Sequence, residues 1–380
     1  MRVPRFSTVD MAKNAAAWLT VPKIRPLQIK PAAYTRPKGN EIVIRNRAVA
    51  LNPVDVQIQA IGSSLAFPWV KYPFIMGVDT AGEVVEVGSK VSTFKVGDRV
   101  LGQAMGGDKH RSGSPEGAFQ EYVVLLENMS SRIPDDLPFE RACVLPLGLG
   151  TAACGLFQKD QLGLQLPSSQ PKPTGKTLLI WGGSTSVGSN AIQLAVAAGY
   201  EVFATCSPKN FAYVRGLGAT EVFDYNSDTV VQDIIQAFQG RTAAGAMWIG
   251  VGSGTILMDV LSKCKGDKVL TMAAYPMPPT WPTNFILPTL IYHYMWGQVA
   301  LWLKAKRYGI KYGFIFGSTL AFNEVGKAVY QDFLPTALKE NRYIAAPDPI
   351  IAGNGLESIQ AGLDLLRKKV SAKKVVVSLG

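Results

Sequence analysis

Thr177-Leu178-Leu179-Ile180-Trp181-Gly182-Gly183-Ser184-Thr185-Ser186-Val187-Gly188 passes from an apolar run into glycines and hydroxyls. Beyond it, Ile192, Ala195, Val196 and Gly199 recur at i, i+3, i+4 and i+7, the spacing of one helix face. The stretch reads as a strand, a tight turn and a helix. In that context the N–H groups of the first helical turn face an anion with a favourable dipole. Gly183 is expected to take the tight turn and Gly188 to let the helix lie close to the sheet. Counted as G-x-G-x-x-G from Gly183, the middle glycine is Thr185, so the hydroxyls of Ser184, Thr185 and Ser186 are expected to donate to phosphate oxygens instead. A dinucleotide site is the chemical reading; a Gly/Ser-rich turn without a ligand is the bland one.

Outward from this turn, strand and helix patterns alternate: Glu201 to Thr205, Glu221-Val222-Phe223, the helical Thr229 to Phe238, Ala246 to Val251, helical Thr255 to Lys263, and Lys268 to Ala273. Alternation of this length predicts an α/β, doubly wound parallel sheet of the Rossmann kind. A site for NAD expects an acidic residue about 20 residues past the first glycine, but the chain reads Thr205-Cys206-Ser207-Pro208-Lys209-Asn210. Ser207 offers a hydrogen bond and Lys209 a positive charge, which fits NADPH. Tyr225 adds a hydroxyl or a face for adenine. Lys209 as a solvated loop lysine is the alternative.

Upstream, Glu41 to Val124 alternates short β-branched runs with Gly and Asp turns, the pattern of a small antiparallel barrel or sandwich. The texture changes near Pro146. The last fifty residues hold one helix, Gly355 to Lys369, and one strand, Lys374 to Leu379, which make no domain alone and are expected to return to the first one. The expected organisation is 1–147 as a β-rich domain, 148–318 as the dinucleotide domain and 319–380 as that return.

The 380 residues suit two domains, and 47% hydrophobic with 18% charged residues leaves no room for extended disorder. The net charge of +11 raises the prospect of an anionic partner, but the basic clusters Lys304/Lys306/Arg307 and Arg367/Lys368/Lys369 with Lys373/Lys374 come with no nucleic-acid motif. Nucleic acid is not expected as a partner. Cys143, Cys154, Cys206 and Cys264 are too far apart for a CxxC pair, and the first ten residues lack a secretory apolar core, so a cytoplasmic setting is expected. Ile286 to Leu303 approaches the length of a short membrane span but contains Pro288, His293 and Gln298. It is read as a buried or interface segment, with no membrane partner expected.

Taken together, Ala50-Leu51-Asn52-Pro53-Val54-Asp55, Gly77-Val78-Asp79-Thr80-Ala81-Gly82, the Val87-Gly88 to Val100 stretch, Gly117 to Tyr122 and the glycine turn resemble the medium-chain dehydrogenase/reductase superfamily in its zinc-free quinone- and enoyl-reductase branch. The resemblance runs from about Asn14 to Leu379. Gly182 to Thr185, Cys206 to Phe211 and Phe223-Asp224-Tyr225 look like the trans-acting enoyl reductases of fungal polyketide synthases and related oxidoreductases, some of them named "zinc-binding". It implies a GroES-like catalytic domain beside the Rossmann domain. Where zinc-dependent alcohol dehydrogenases place Cys, His and Cys, this chain has Asn52, Val78 and Gly148, and no cysteine lies between Val100 and Gly117. No metal is expected.

Carried over position by position, the resemblance implies that Asn52, Pro53, Val54, Asp55 and Thr151 border the nicotinamide and Ser184 to Val187 hold the phosphates. It gives Ser207, Lys209, Asn210 and Tyr225 to the adenosine 2′-phosphate, and Val370 with Ser371 to a late contact. Asn52, Gln57 and Thr151 are the catalytic candidates. Enoyl reductases often carry Lys, and quinone reductases Tyr, where this chain has Gln57; Gln orients a carbonyl but does not act as an acid at neutral pH. An activated alkene needs less help from a Lewis acid than an alcohol or ketone, because hydride added at the β-carbon leaves a delocalised enolate. The expectation is NADPH-dependent reduction of an enone, enoyl or quinone in secondary metabolism, with a small apolar or polyketide-like substrate, a synthase as a possible source of it, and a monomer or homodimer. The alternative keeps NADPH structural in a cyclase or binding protein. The aromatic segment Tyr275 to Tyr312, with Trp281, Phe285, Tyr292, Tyr294, Trp296 and Trp302, is a candidate substrate-pocket wall; core packing or a subunit interface is the other reading.

Overall fold

A computed structural model describes residues 13–62, 67–111, 113–250, 252–276 and 286–380. The β-rich part is built on the strand Glu41–Ala50, whose side chains are buried on both faces except at Arg45 and Arg47. It pairs antiparallel with Asp79–Val87, which pairs with Arg99–Gln103 and so on to Ser130–Arg132. Tyr122–Leu126 lies along the other edge of its first half. Ile42, Ile44, Val84, Val100, Val123 and Leu125 close one core.

The segment after residue 340 joins this same sheet. Lys373–Ser378 runs antiparallel to Ala48–Ala50 and parallel to a second strand, Asp348–Asn354. That second strand is absent from the sequence reading, because Pro349, Gly353 and Asn354 contradict a strand pattern; it survives as an edge, where a missing N–H is tolerated. The expected helix Gly355 to Lys369 is shorter, Ile359–Arg367, preceded by the 3₁₀ turn Leu356–Ser358.

The other large sheet is parallel in the order Glu221–Asp224, Glu201–Cys206, Lys176–Trp181, Thr242–Trp248, Val269–Met272, Lys311–Phe314. The order reverses beside Lys176–Trp181, so the crevice at its carboxyl end is the expected ligand position of an open α/β sheet. The helix Ser186–Ala197 leaves that end. It buries Ala191, Ile192, Leu194 and Ala195, while Val196 faces outward and Gly199, at φ 81°, lies past its end. The face is thus one residue off the predicted stripe.

Between the sheets lies Pro146–Phe157, a helix buried almost all round. Its glycines let both sides approach. A Cβ on Gly148 would stand 2.6 Å from Ser186 Oγ, and one on Gly150 2.0 Å from Gln103 Oε1.

Ile286–Tyr308 is a single helix of 23 residues, which the sequence reading did not resolve from its continuous apolar texture. Tyr292, Trp296 and Trp302 are exposed, so they are neither core nor the wall of an enclosed pocket. Tyr275 does pack, stacking on Phe314 at 3.9 Å between centroids. Trp281 and Phe285 lie outside the described residues.

Candidate active site

The glycine turn is built differently from the expectation at two positions. Gly182, with φ 102°, takes the left-handed conformation. Gly183 has an ordinary φ and is small for packing: its Cβ would meet Ala204, Ile192 and Val214 side chains at 3.0–3.3 Å. Gly188 keeps its predicted role, since a Cβ there would lie 2.1 Å from Gly182 O.

The three hydroxyls also separate. Thr185 caps the helix: its Oγ1 accepts from Gly188 N–H at 2.9 Å and donates to Gly182 O at 2.8 Å. Its proton is therefore held inside the turn and not offered to a phosphate. Ser186 Oγ is buried with no hydrogen-bond partner. A buried, unpaired hydroxyl costs free energy unless something external satisfies it, and at a helix N-terminus an anionic oxygen does so. Ser184 and Val187 are half-buried beside it. The cradle fits a dinucleotide pyrophosphate.

At the end of the second strand, Ser207 Oγ and Tyr225 OH lie 3.0 Å apart. Asn210 Nδ2 donates to Ser371 Oγ at 3.1 Å, with Val370 half-buried next to it. These four polar residues, far apart in sequence, are thus two neighbouring pairs. Lys209 is exposed and has no ion pair among the described residues. Asp224, opposite Cys206 in the sheet register, is the nearby carboxylate; it accepts hydrogen bonds from the backbone and side chain of Asn226.

At the other end, Asn52 and Asp55 are buried rather than open to the cleft. Asp55 Oδ2 accepts the Asn52 N–H at 2.8 Å and caps the helix Pro53–Ile61. Burial pushes its carboxyl up to about 7, against the pull of that N–H bond. Asp55 is a capping residue, a role absent from the sequence reading. Asn52 positions others: Nδ2 donates to Asp79 Oδ2 at 2.9 Å and Oδ1 accepts from Lys374 Nζ at 2.5 Å. Asp79 also receives Lys374 directly at 2.7 Å and the Leu147 N–H on its other oxygen. Pro53 and Gln57 are exposed and Val54 half-buried. Gln57 has no side-chain hydrogen bond among the described residues. Thr151 is half-buried on the seam helix under Gly317, whose Cβ would come within 3.2 Å of its Oγ1.

Asp79 and Lys374 are the residues the sequence reading missed. Asp79 sat inside a quoted motif without a role. Lys374 was counted as one of a basic cluster, although strand alternation places it on the inward side with Val376, in a run of three valines.

The network tests the zinc expectation through its donors. Asn52, the Val78–Asp79 segment and the Leu147–Gly148 segment do converge. They bring an amide oxygen and a carboxylate, both already bonded to an ammonium, and no thiolate or imidazole. Such a set does not fit a tetrahedral zinc site. Among the described residues no cluster of three His, Cys, Asp or Glu side chains suits a metal elsewhere.

Comparison with known proteins agrees with this architecture. The model of the alcohol dehydrogenase GroES-like domain matches residues 38–135, and that of the zinc-binding dehydrogenase matches residues 186–295. The chain is 54% identical to the dehydrogenase pigH of Monascus ruber, over 97% of this chain and 100% of that one. It is 38% identical to the trans-enoyl reductase himH of Aspergillus japonicus, over 96% and 97%. An alcohol dehydrogenase superfamily protein from Novosphingobium aromaticivorans shares the fold, with a TM-score of 0.73 at 23% identity over 97% and 100% of the two chains. The superfamily's fold binds a nicotinamide cofactor. The chain belongs to the medium-chain dehydrogenase/reductase superfamily, as an oxidoreductase of the enoyl- and quinone-reductase type.

Proposed function

We propose that the protein is an NADPH-dependent, zinc-independent reductase of an activated carbon–carbon double bond, acting in secondary metabolism on a small apolar or polyketide-like enone, enoyl or quinone. The observation that carries this reading is the ammonium of Lys374 bonded to Asp79 and Asn52 where a metal-dependent relative would need free donors. Without a Lewis acid to stabilise an alkoxide, the chemistry that remains easy is one whose negative charge delocalises. The trans-enoyl reductase name of the Aspergillus japonicus relative is in line with it.

When bound, the reduced nicotinamide supplies the hydride. The chain's own residues do the rest. Ser186 Oγ and the N–H groups of the first turn hold the pyrophosphate; Ser207, Lys209 and Tyr225 receive the 2′-phosphate. Lys374 keeps Asp79 neutralised, so that the buried acid does not oppose charge developing on the substrate. Thr151 positions the nicotinamide from the seam helix. Gln57, exposed and unbonded, orients the substrate carbonyl and donates to the enolate oxygen, and water delivers the proton to the α-carbon. A cytoplasmic setting belongs to the proposal, supported by four buried, unpaired cysteines; no helix among the described residues is long and apolar enough to cross a membrane.

The test is titration with NADPH and NADH by nicotinamide fluorescence, then addition of enones, quinones and enoyl thioesters while following absorbance of the reduced cofactor. Tighter NADPH binding and consumption on one acceptor class is the expected result. Binding without consumption on any acceptor would favour a non-redox use of the cleft, and equal affinity for NADH would remove the 2′-phosphate assignment.

A further inference from the structure

The outward side of the helix Ile286–Tyr308 gathers exposed large apolar side chains. Its inner side buries Leu290, Leu301 and Ala305, the last two in one core with Leu257, Val260 and Leu261 of Gly254–Lys263. At 100° per residue, Ile291, Trp302, Met295, Val299, Tyr292, Leu303 and Trp296 follow one another around the opposite side. All seven are exposed, Tyr292 and Trp296 to 60%. A helix apolar on both sides is ordinarily buried on both. An uncovered patch of seven large apolar side chains marks a docking surface.

Charge says what covers it. From Lys268 to Asn323 the sequence contains no Asp or Glu. Lys306 and Arg307 emerge at the carboxyl end of the apolar stripe, Lys306 lying 4.4 Å above the Trp302 ring. Lys311 follows on the adjoining strand, and Lys268 stands next to it across the sheet, its backbone carbonyl accepting the Lys311 N–H. Asp259 neutralises Lys304 and leaves these four cations outside that pair. A second copy of this face would set these cations against their own copies, and the nearby acids Asp259 and Asp267 already pair with Lys304 and Lys176, so self-association is opposed. A bilayer with anionic headgroups satisfies both halves: Trp and Tyr rings sit at the headgroup level, aliphatic side chains enter below it, and lysines reach the phosphates.

We propose that the face of Ile286–Tyr308 centred on Tyr292, Met295, Trp296, Val299 and Trp302, with Lys306, Arg307, Lys311 and Lys268 at its end, docks this protein on an anionic membrane surface. The helix lies on the bilayer and does not cross it, in keeping with its mean hydropathy. The inference is independent of the reaction. A reductase held there would meet apolar substrates where they partition.

The experiment is vesicle co-sedimentation of the full chain with phosphatidylcholine alone and with a phosphatidylcholine/phosphatidylserine mixture, at low and high salt. Binding to the mixed vesicles, weakened by salt and absent on neutral ones, is the expected result. The double variant Lys306→Glu/Arg307→Glu and the single variant Trp296→Glu each lower it about tenfold or more, with unchanged thermal midpoint and NADPH affinity. The charge variant alters only exposed side chains, so it remains readable if Trp296→Glu misfolds. Three results would overturn the proposal: no binding to either vesicle, equal binding to both, or a dimer in sedimentation that Trp296→Glu converts to monomer.

Discussion

Lys374 Nζ lies 2.7 Å from Asp79 Oδ2, the side chains being 5% and 0% exposed. One partner arrives on Lys373–Ser378 and the other on Asp79–Val87, with Glu41–Ala50 between them in the sheet. Removing the cation leaves a buried carboxylate uncompensated, which costs about 3–5 kcal/mol. Lys374→Met is therefore expected to lower the unfolding free energy measured by urea denaturation by that much and to depress turnover. Lys374→Met combined with Asp79→Asn should recover most of the stability without recovering turnover. A double variant as unstable as the single one would show that the pair is not the source of the loss.

Asp55 gives stability a pH dependence of unusual sign. Its folded carboxyl is raised to about 7 by burial, whereas an unfolded Asp titrates near ~3.9. Between these values the folded chain holds the proton more tightly, so this contribution is full below the unfolded value and lost as pH rises to about 7. Relative to Asp55→Asn, the wild type should lose a few kcal/mol between about pH 4 and pH 7. Denaturant melts of both proteins across that range measure it; parallel curves would refute the assignment.

Gly188→Ala and Gly183→Ala should differ. The first drives a methyl to 2.1 Å from a backbone carbonyl, the second to 3.0 Å or more from side chains able to shift. The expected cost is upwards of about 2 kcal/mol for Gly188→Ala and about 1 or less for Gly183→Ala, with NADPH binding lost only in the former. Thermal unfolding and cofactor titration of the two variants decide this.

Thr185→Ala and Ser186→Ala should separate stability from binding. Thr185 is the helix cap, worth about 1 kcal/mol, and its loss should appear in unfolding of the free protein. Ser186 Oγ has no partner in the free protein, so Ser186→Ala should not destabilise it, removing the cost of an unpaired buried hydroxyl, and should weaken NADPH binding several-fold. A Ser186→Ala protein with full affinity would take that hydroxyl out of the phosphate site.

Lys209→Ala should lower affinity for NADPH about tenfold, the worth of one charge-assisted contact, and leave NADH affinity unchanged. Fluorescence titration with both dinucleotides reads the ratio. An equal fall for both would reassign Lys209 to the pyrophosphate or to the fold.

The parallel sheet and its glycine turn were legible because both rest on local pattern. A run such as Thr177 to Trp181 followed by Gly182 and Gly188 can hardly be anything else. The finer division of labour was not, because it depends on where backbone and neighbours fall: Gly182 rather than Gly183 takes the turn, and Thr185 closes on its own carbonyl. Ser207, Lys209, Asn210 and Tyr225 are expected together at the adenosine end from the sequence, but only the fold shows Ser207 beside Tyr225 and Asn210 beside Ser371. Lys374 escaped because a single lysine in a basic cluster carries no sign of the sheet that buries it. The long helix escaped for the opposite reason, since a sequence apolar on every side has no periodicity to detect.

Asn52 and Lys374 are 322 residues apart in sequence. During synthesis, chains fold from their beginning, so Asn52 and Asp79 emerge long before Lys374, which bonds the first and neutralises the second, and before Ser371, which meets Asn210. For most of translation the β-rich domain has an unfilled edge along Ala48–Ala50 and an acid without its counter-ion. The nascent chain therefore keeps that edge open until its last strand emerges, and Asn210 gains its Ser371 partner only then.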